Sequence, residues 1–184
     1  PTRCNDDDRY FTDRFQCMPA QGYTAMFRRM LDHPRITVEY GRDWLADPDQ
    51  PYRHLVHTGP IDAFFGHCEG RLPYRSLSFE FEHLSGTERF QPVAQVNFPG
   101  EEPWTRITEF RHLTGQACAG TTIAREYALD DGEPYYPIPS PASRALYERY
   151  RARADALAAR VSFVGRLAQY RYYNMDQAVA AALH

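Results

Sequence analysis

The chain has 184 residues, a formal net charge of −3 and 43% hydrophobic residues, which suffices for one core or for one domain and part of another. The slightly acidic balance argues against nucleic acid as a partner, because nucleic-acid-binding surfaces carry clustered positive charge. The sequence contains no apolar run long enough to span a membrane and its first residues do not resemble a signal peptide, which predicts a cytoplasmic protein.

The cysteines predict free thiols in a reducing compartment. Cys4, Cys17, Cys68 and Cys118 are far apart, and none of them is in a CxxC pair. His67 and Cys68 are adjacent, but neighbouring side chains in an extended segment point to opposite faces, so we do not expect a metal site there.

Residues 1–70 predict a helix followed by two short strands. The helix begins at Gly22, carries an apolar face and ends at Asp32-His33-Pro34. Residues 36–40 alternate as in a strand, and residues 54–57 predict a second strand closed by the turn at residues 58–62. A helix that leads into strands is typical of the returning part of an α/β nucleotide-binding domain.

Residues 71–139 predict an antiparallel sheet with one packed face and one partly open face. Four segments read as strands, at residues 74–82, 93–98, 105–111 and 121–127, and their linkers are rich in Gly, Pro and Asp. In the first strand Leu77, Phe79 and Phe81 share one parity, so we expect them on the packed face.

Residues 140–184 predict a helix, a buried strand and a second helix. Ser140 caps a helix that runs to about residue 159, with Leu146, Tyr150 and Leu157 facing inward. A short apolar strand at residues 161–164 follows and ends at Gly165. Asn174 is placed to cap the final helix, in which Val179 and Leu183 fall at helical spacing.

The join between that strand and the final helix has the chemistry of an anion site. Gly165 permits a close approach to the backbone, and Arg166 adds a planar, permanent positive charge suited to phosphate. The amino end of a helix favours negative charge. A flavin dinucleotide fits such a site, with its pyrophosphate near the arginine, although a strand followed by Gly and Arg is more often an ordinary loop.

The same segment, VSFVGRLAQYRYYNMDQAVAAAL, resembles the C-terminal flavin segment of the UDP-galactopyranose mutase family. Five further blocks resemble that family in the same order: DRYFTDRFQCMP-QGYT, HTGPID-FF, LPYRSLSFE, PWTRI-EF and GEPYYPIP. The resemblance covers essentially the whole chain. It implies an α+β fold, with an antiparallel twisted substrate sheet joined to the returning strand and helix of an FAD-binding α/β domain.

The resemblance also implies a division of the chain. Residues 1–70 are expected to form part of the FAD-binding domain with a crossover, residues 71–139 the substrate sheet, and residues 140–184 the return to the FAD domain. The GxGxxG fingerprint of dinucleotide-binding domains is missing here, so the resemblance implies that this is the C-terminal half of a longer enzyme.

The implied activity is the interconversion of UDP-galactopyranose and UDP-galactofuranose by a flavin-dependent isomerase. Reduced FAD acts as the covalent nucleophile, and the protein supplies geometry and charge. The expected partners are this substrate pair and the N-terminal half of the same protein, and a homodimer is left open. The isolated chain is expected to be inactive.

The resemblance assigns substrate contacts residue by residue. Arg106 is expected to be the catalytic residue, contacting the diphosphate and neutralising the leaving group. The other expected substrate contacts are Tyr10, Asn97, Tyr136 and Tyr172. Judged by residue chemistry alone, Arg106 could instead pair with Glu80, Glu82 or Glu109, and Tyr136 could belong to a surface turn.

The resemblance likewise assigns the flavin contacts. Asp43 and Trp44 are expected at the adenosine end, and Arg75 and Arg166 on the flavin side. Gly59 and Pro60 are expected beneath the cofactor because glycine permits a close approach to the backbone. The remaining expected cofactor contacts are Gly165, Tyr173, Asn174, Met175, Asp176, Gln177 and Ala178. At residue 174 the family has Asp, so flavin tuning should differ here.

Two other functions are compatible with parts of the pattern. A flavin oxidase or dehydrogenase of the amine-oxidase type shares the strand-Gly-helix architecture, but it would have an apolar substrate cavity without clustered tyrosines and an arginine. A non-catalytic nucleotide-binding module is the third alternative.

Overall fold

The computed structural model describes residues 13–46 and 51–183 and has a mixed α/β fold with a five-stranded antiparallel sheet and a separate parallel pair of strands. The elements are, in chain order, α1 (Gly22–Leu31), a 3-10 turn (Trp44–Ala46), β1 (Leu55–His57), α2 (Ile61–Phe64), β2 (Tyr74–Ser85), β3 (Gln95–Asn97), β4 (Arg106–Glu109), α3 (Phe110–Thr114), β5 (Gly120–Leu129), β6 (Tyr136–Pro137), α4 (Pro141–Asp155), β7 (Val161–Phe163) and α5 (Met175–Leu183). Within those residues, no helix combines the length and the apolar character needed to cross a bilayer.

The antiparallel sheet has the strand order β3-β4-β5-β2-β6, and all neighbouring strands run in opposite directions. Its centre is the long pair of β2 and β5, in register from Ser76 opposite Leu129 to Ser85 opposite Gly120. The predicted antiparallel sheet is therefore confirmed. The segment containing Tyr136 joins it as a short edge strand.

The two faces of this sheet differ in burial. Ile107 and Ile123 lie on the packed face, where they are 4% and 0% exposed. Phe79 and Phe81 lie on the opposite face and are 41% and 65% exposed. The expectation that these phenylalanines lie on the packed face is wrong, because nothing in the described chain covers their side of the sheet except neighbouring rings such as Phe110.

The parallel pair of β1 and β7 brings the C-terminal part of the chain back to the N-terminal part. Leu55 is opposite Val161, and His57 is opposite Phe163. Both strands lie where the sequence predicts them. The strand predicted at residues 36–40 is wrong: this segment has no ladder partner in the described chain, and a strand requires one.

The hydrophobic core lies between α2, α4 and the start of β2. Its buried members are Ile61, Leu72, Tyr150 and Ala154. The phenol of Tyr150 donates a hydrogen bond to the carbonyl of Gly70 at 2.6 Å and accepts one from the backbone N–H of Glu69 at 3.0 Å. Burying this ring therefore leaves its polar atom satisfied, and it fixes the loop that leads into the sheet.

Helix α4 begins where the sequence predicts and ends earlier. Ser140 and Ser143 form a reciprocal capping box around Pro141, which satisfies two amino-terminal N–H groups. The helix ends at Asp155 instead of residue 159. Leu157 is consequently 38% exposed rather than inward, and its carbonyl accepts hydrogen bonds from the next turn.

Helices α1 and α5 lie where the sequence predicts them, but neither has a buried residue. The apolar face of α1 is exposed to solvent: Phe27 is 49% and Met30 is 64% exposed. In α5, Val179 and Leu183 are also exposed. Both apolar faces lack a partner in the described residues.

The carboxylate of Glu109 ties a loop to the end of β4. The strand predicted to continue to residue 111 stops at Glu109, and α3 follows it. The buried carboxylate accepts hydrogen bonds from the N–H groups of Phe90 and Gln91 and from the hydroxyl of Thr121 at 2.6 Å. Burial raises the pKa of Glu109, but these donors and His112 outweigh it, so the pKa is lowered overall.

We expect Glu109→Gln to lower the free energy of unfolding by about 2 kcal/mol, because an amide nitrogen would face buried N–H donors. Glu109 has a lower pKa when folded, so its stabilisation is present above its unfolded pKa and is lost as pH falls through the folded value. Urea titrations from pH 7 to pH 3 measure both effects. Glu101→Gln, at an exposed position, is the control; equal stability of the two variants would contradict the prediction.

Candidate functional site

Arg106 is held in a row of polar side chains on the open face of the sheet. Asn97 and Glu126 are its direct cross-strand neighbours on β3 and β5. The Nε of Arg106 donates a hydrogen bond to Oδ1 of Asn97 at 2.8 Å, and its Nη1 lies 3.5 Å from Oε2 of Glu126. The guanidinium is thus oriented from both sides and still 31% exposed, so it can bind an anion.

The three acidic residues considered as partners of Arg106 lie on the other face. Glu80 accepts a hydrogen bond from the phenol of Tyr127, Glu82 pairs with Arg125, and Glu109 is occupied as described above. Those pairings were wrong because strand parity separates them from Arg106. The carboxylate that sequence reasoning missed is Glu126. Identifying Glu126 requires knowing which residues of β4 and β5 lie opposite each other. The alternation of side chains along a single strand does not provide this register.

Tyr136 and Tyr172 form a stacked pair beside this row. Their ring centroids are 5.7 Å apart and their planes differ by 15°. The residues come from the edge strand β6 and from the segment before α5, so the fold joins two distant parts of the chain here. Tyr173 faces away from the pair and contacts Arg171 instead, as expected for adjacent residues with opposed side chains.

The guanidinium of Arg166 covers both rings of this pair. Its central carbon lies 4.6 Å from the ring centroid of Tyr172 and 5.3 Å from that of Tyr136. Nε donates a hydrogen bond to the carbonyl of Tyr173 at 3.1 Å, and Nη1 donates one to the carbonyl of Tyr135 at 3.4 Å. Arg166 therefore connects the two segments through both charge and hydrogen bonds.

The phenol of Tyr136 lies within the electrostatic influence of both arginines. Burial raises the pKa of Tyr136, and the nearby Glu126 and Tyr172 raise it further, while Arg106 and Arg166 oppose that rise. The net effect keeps the hydroxyl protonated, and therefore a hydrogen-bond donor, throughout the ordinary pH range. Two guanidinium groups against one carboxylate leave the surroundings of this phenol positive, as an anion site requires.

The carboxyl ends of the parallel strands β1 and β7 form a second candidate surface. Gly165 follows β7 with a φ of +99°, and the position of a Cβ there meets no atom within 4 Å, so the backbone faces open space. Ligands of open α/β sheets bind at this end of the strands. At Gly59 the close approach is instead to His57, whose imidazole would lie 3.1 Å from a Cβ.

An aromatic cluster closes the β1 side of this surface. The indole of Trp44 stacks on Phe64 with centroids 5.6 Å apart, and Phe64 contacts Phe163 and His57. Burial lowers the pKa of His57, although backbone contacts to Pro60 and Gly59 oppose this. Asp43 accepts a hydrogen bond from the N–H of Leu45 at 2.9 Å, which starts the 3-10 turn before the cluster.

The amino end of α5 is capped differently from the prediction. Asn174 lies just before the helix, as predicted, and its carbonyl accepts a hydrogen bond from Ala178. The side chain that closes this turn is Gln177, whose Oε1 accepts a hydrogen bond from the N–H of Asn174 at 2.9 Å. Met175 and Asp176 are exposed in the first turn.

Arg75 is the cross-strand neighbour of Tyr136 on β2, but its guanidinium pairs elsewhere. Arg75 forms an ion pair with Asp130, on an exposed corner of the sheet, and its carbonyl accepts a hydrogen bond from Tyr135. Tyr10 lies outside the described residues. Cys17, Cys68 and Cys118 are free thiols, and the described part of the chain contains no group of metal-ligating side chains.

Comparison with known proteins identifies the family. The family model described as UDP-galactopyranose mutase matches residues 1–172. A Klebsiella pneumoniae protein named "Probable UDP-galactopyranose mutase" is 39% identical over the whole chain, which covers 48% of that protein. The UDP-galactopyranose mutase of Mycoplasma pneumoniae is 33% identical over 97% of the chain, which covers 49% of that protein.

A third relative carries a different substrate in its name. The dTDP-fucopyranose mutase of Escherichia coli is 33% identical over the whole chain, which covers 51% of that protein. Among solved structures, a crystal structure of reduced UDP-galactopyranose mutase matches with a TM-score of 0.55 at 15% identity, over 67% of this chain and 37% of that one. That similarity supports the fold.

The chain spans about half the length of the curated relatives it matches. The family model nevertheless extends over most of the residues, including five of the six blocks in full, the beginning of the last block, and Arg106, Tyr136, Arg166 and Tyr172. The chain therefore belongs to the UDP-galactopyranose mutase family.

Proposed function

We propose that the protein containing this chain interconverts UDP-galactopyranose and UDP-galactofuranose, and that this chain supplies the diphosphate-binding part of the active site. The observation that carries the proposal is that Arg166 lies over the stacked rings of Tyr136 and Tyr172, while Arg106 is close enough to act electrostatically on the phenol of Tyr136. Such a combination of fixed positive charge and rigid hydroxyl donors suits a pyrophosphate.

Arg106 would stabilise the negative charge that grows on the diphosphate as UDP departs from the sugar. Asn97 and Glu126 hold its guanidinium before the substrate arrives, so little reorganisation is needed during the reaction. The hydroxyl of Tyr136 would donate a hydrogen bond to a phosphate oxygen, and Tyr172 would donate a second one. Donors placed in this way each contribute about 3 kcal/mol to the transition state in comparable sites.

FAD fits the surface at the carboxyl ends of β1 and β7. The open backbone at Gly165 would approach the cofactor, and the first turn of α5 would face its electron-rich ring, with Tyr173, Asn174, Met175, Asp176, Gln177 and Ala178 as contacts. Asp43, Trp44, Gly59, Pro60 and Arg75 complete the proposed set. When bound and reduced, FAD supplies the nucleophile that displaces UDP from the sugar.

The proposed division of the chain follows from this placement. Residues 1–70 and 140–184 would contribute to the FAD-binding domain, and residues 71–139 would form the substrate sheet. The parallel pairing of β1 with β7 supports this division, since it joins the first and last of these segments apart from the antiparallel sheet. The rest of the FAD domain, with its dinucleotide fingerprint, would be supplied by the N-terminal half of the longer protein.

A second candidate is a mutase that acts on a dTDP sugar. The Escherichia coli relative named dTDP-fucopyranose mutase matches the whole chain, and a site for diphosphate serves either nucleotide. An oxidase of the amine-oxidase type fits less well, because two arginines and a carboxylate give this site a polar character. Parallel assays of UDP-galactofuranose and dTDP-fucofuranose distinguish the two mutase activities.

We expect Arg106→Ala in the full-length protein to reduce turnover of UDP-galactofuranose at least about a hundredfold, because the leaving diphosphate loses its main counter-charge. Turnover is measured by chromatography of the two sugar nucleotides, with and without dithionite as reductant. Arg151→Ala, at an exposed position of α4, is the control. Substantial turnover by Arg106→Ala would remove Arg106 from the catalytic role.

We expect the isolated chain of 184 residues to convert neither sugar nucleotide, even with reduced FAD, because it lacks the dinucleotide-binding fingerprint. The same chromatographic assay measures this, with the full-length protein as the positive control. Measurable turnover by the isolated chain would contradict the proposed need for the N-terminal half.

We expect Tyr136→Phe to weaken UDP binding by about tenfold, since one hydrogen-bond donor to phosphate is lost. The raised pKa of Tyr136 predicts that its contribution to wild-type affinity stays constant as pH increases from 7 to about 9, because the phenol remains protonated. Isothermal titration calorimetry measures both effects. Tyr135→Phe, on the neighbouring ring that packs against Phe79, should bind UDP like the wild type.

A further inference from the structure

The charged group of Arg166 is already engaged by other residues of this chain. Nε and Nη2 both donate to the carbonyl of Tyr173, and Nη1 donates to the carbonyl of Tyr135. A guanidinium has five N–H groups, so most of its donors are directed at backbone and not at a ligand. Its place in the site is thereby fixed.

The two carbonyls belong to the residues next to the stacked phenols. Tyr135 directly precedes Tyr136, and Tyr173 directly follows Tyr172. Arg166 therefore holds the backbone of each segment while its planar face lies against both rings, at 4.6 and 5.3 Å. Loss of the guanidinium would release the segments from each other and remove the contact that keeps the rings parallel.

A lysine in place of Arg166 could not make the same hydrogen bonds and ring contacts. Its ammonium is a single point charge, whereas the arginine presents a flat cation to the rings and separate donors to the two carbonyls. The positive charge alone could be conserved by lysine, but the orientation of the phenols could not. This difference separates a role in positioning from a role in attracting the anion.

We propose that Arg166 is a positioning residue for the substrate diphosphate, which acts by orienting the hydroxyl groups of Tyr136 and Tyr172. The inference rests on the proposed function, since it assumes that these phenols bind the diphosphate of a sugar nucleotide. It goes beyond a flavin contact for Arg166, because the partners found in the structure are the two phenols and the backbone beside them.

The test measures UDP affinity of the full-length protein with oxidised FAD by isothermal titration calorimetry. Arg166→Lys is introduced into the wild type and into the double variant Tyr136→Phe/Tyr172→Phe, which lacks both hydroxyls but keeps both rings. Arg171→Lys is the matched control, because Arg171 is a nearby exposed arginine that contacts only the ring of Tyr173 among aromatic groups. Flavin content, from absorbance, and melting temperature are recorded for each variant.

We expect Arg166→Lys to weaken UDP binding about tenfold in the wild type and less than about twofold in the double variant, with flavin content unchanged. Arg171→Lys should have no effect in either background. This dependence on the two hydroxyls would not arise from a general loss of stability, which would act equally in both backgrounds.

An equal loss of affinity in both backgrounds would overturn the inference, since Arg166 would then act on the nucleotide without the phenols. Unchanged affinity in the wild-type background, or loss of FAD from Arg166→Lys, would also overturn it. Failure of the wild-type protein to bind UDP would overturn the proposed function and the inference together, and this result is recognised before any variant is examined.

Discussion

The ion pair and hydrogen bonds of Arg106 determine what the open face of the sheet can do. Glu126 neutralises part of its charge and Asn97 fixes its plane, so the guanidinium remains ordered and accessible at once. Without these neighbours an arginine on an apolar sheet would have to be fully hydrated or buried against an acid. The antiparallel register produces this arrangement, because it places Asn97, Arg106 and Glu126 opposite one another on three adjacent strands.

Arg166 extends the site from the sheet to the segment before the last helix. The stacked phenols of Tyr136 and Tyr172 belong to different parts of the chain, and their shared contact with one guanidinium brings those parts together. The same short segment that follows β7 therefore contributes to both candidate surfaces: Gly165 leaves the backbone open at the ends of β1 and β7, and Arg166 contacts the phenols. The reaction proposed above, between a cofactor and a sugar nucleotide, would need such proximity.

The sequence predicted most elements because their signals are local. Alternating residues identify β2 and β5, and Ser140-Pro141 identifies the start of α4. The failures depend on partners that are distant or outside the chain. Residues 36–40 alternate but have no ladder partner in the described chain, and Phe79 and Phe81 are apolar on a face that this chain leaves open. Glu126 was missed because cross-strand register is a non-local property.

The parallel pairing of β1 and β7 has a consequence for synthesis of the protein. Leu55 cannot meet Val161 until the ribosome has added nearly the whole described chain, whereas the strands β2 to β5 are close together in sequence. Contacts between residues so far apart in the sequence form slowly, and the backbone of both strands stays unpaired and exposed until they form. A nascent chain interrupted before Phe163 could thus complete the antiparallel sheet, but it would lack this strand pair and the glycine that follows it.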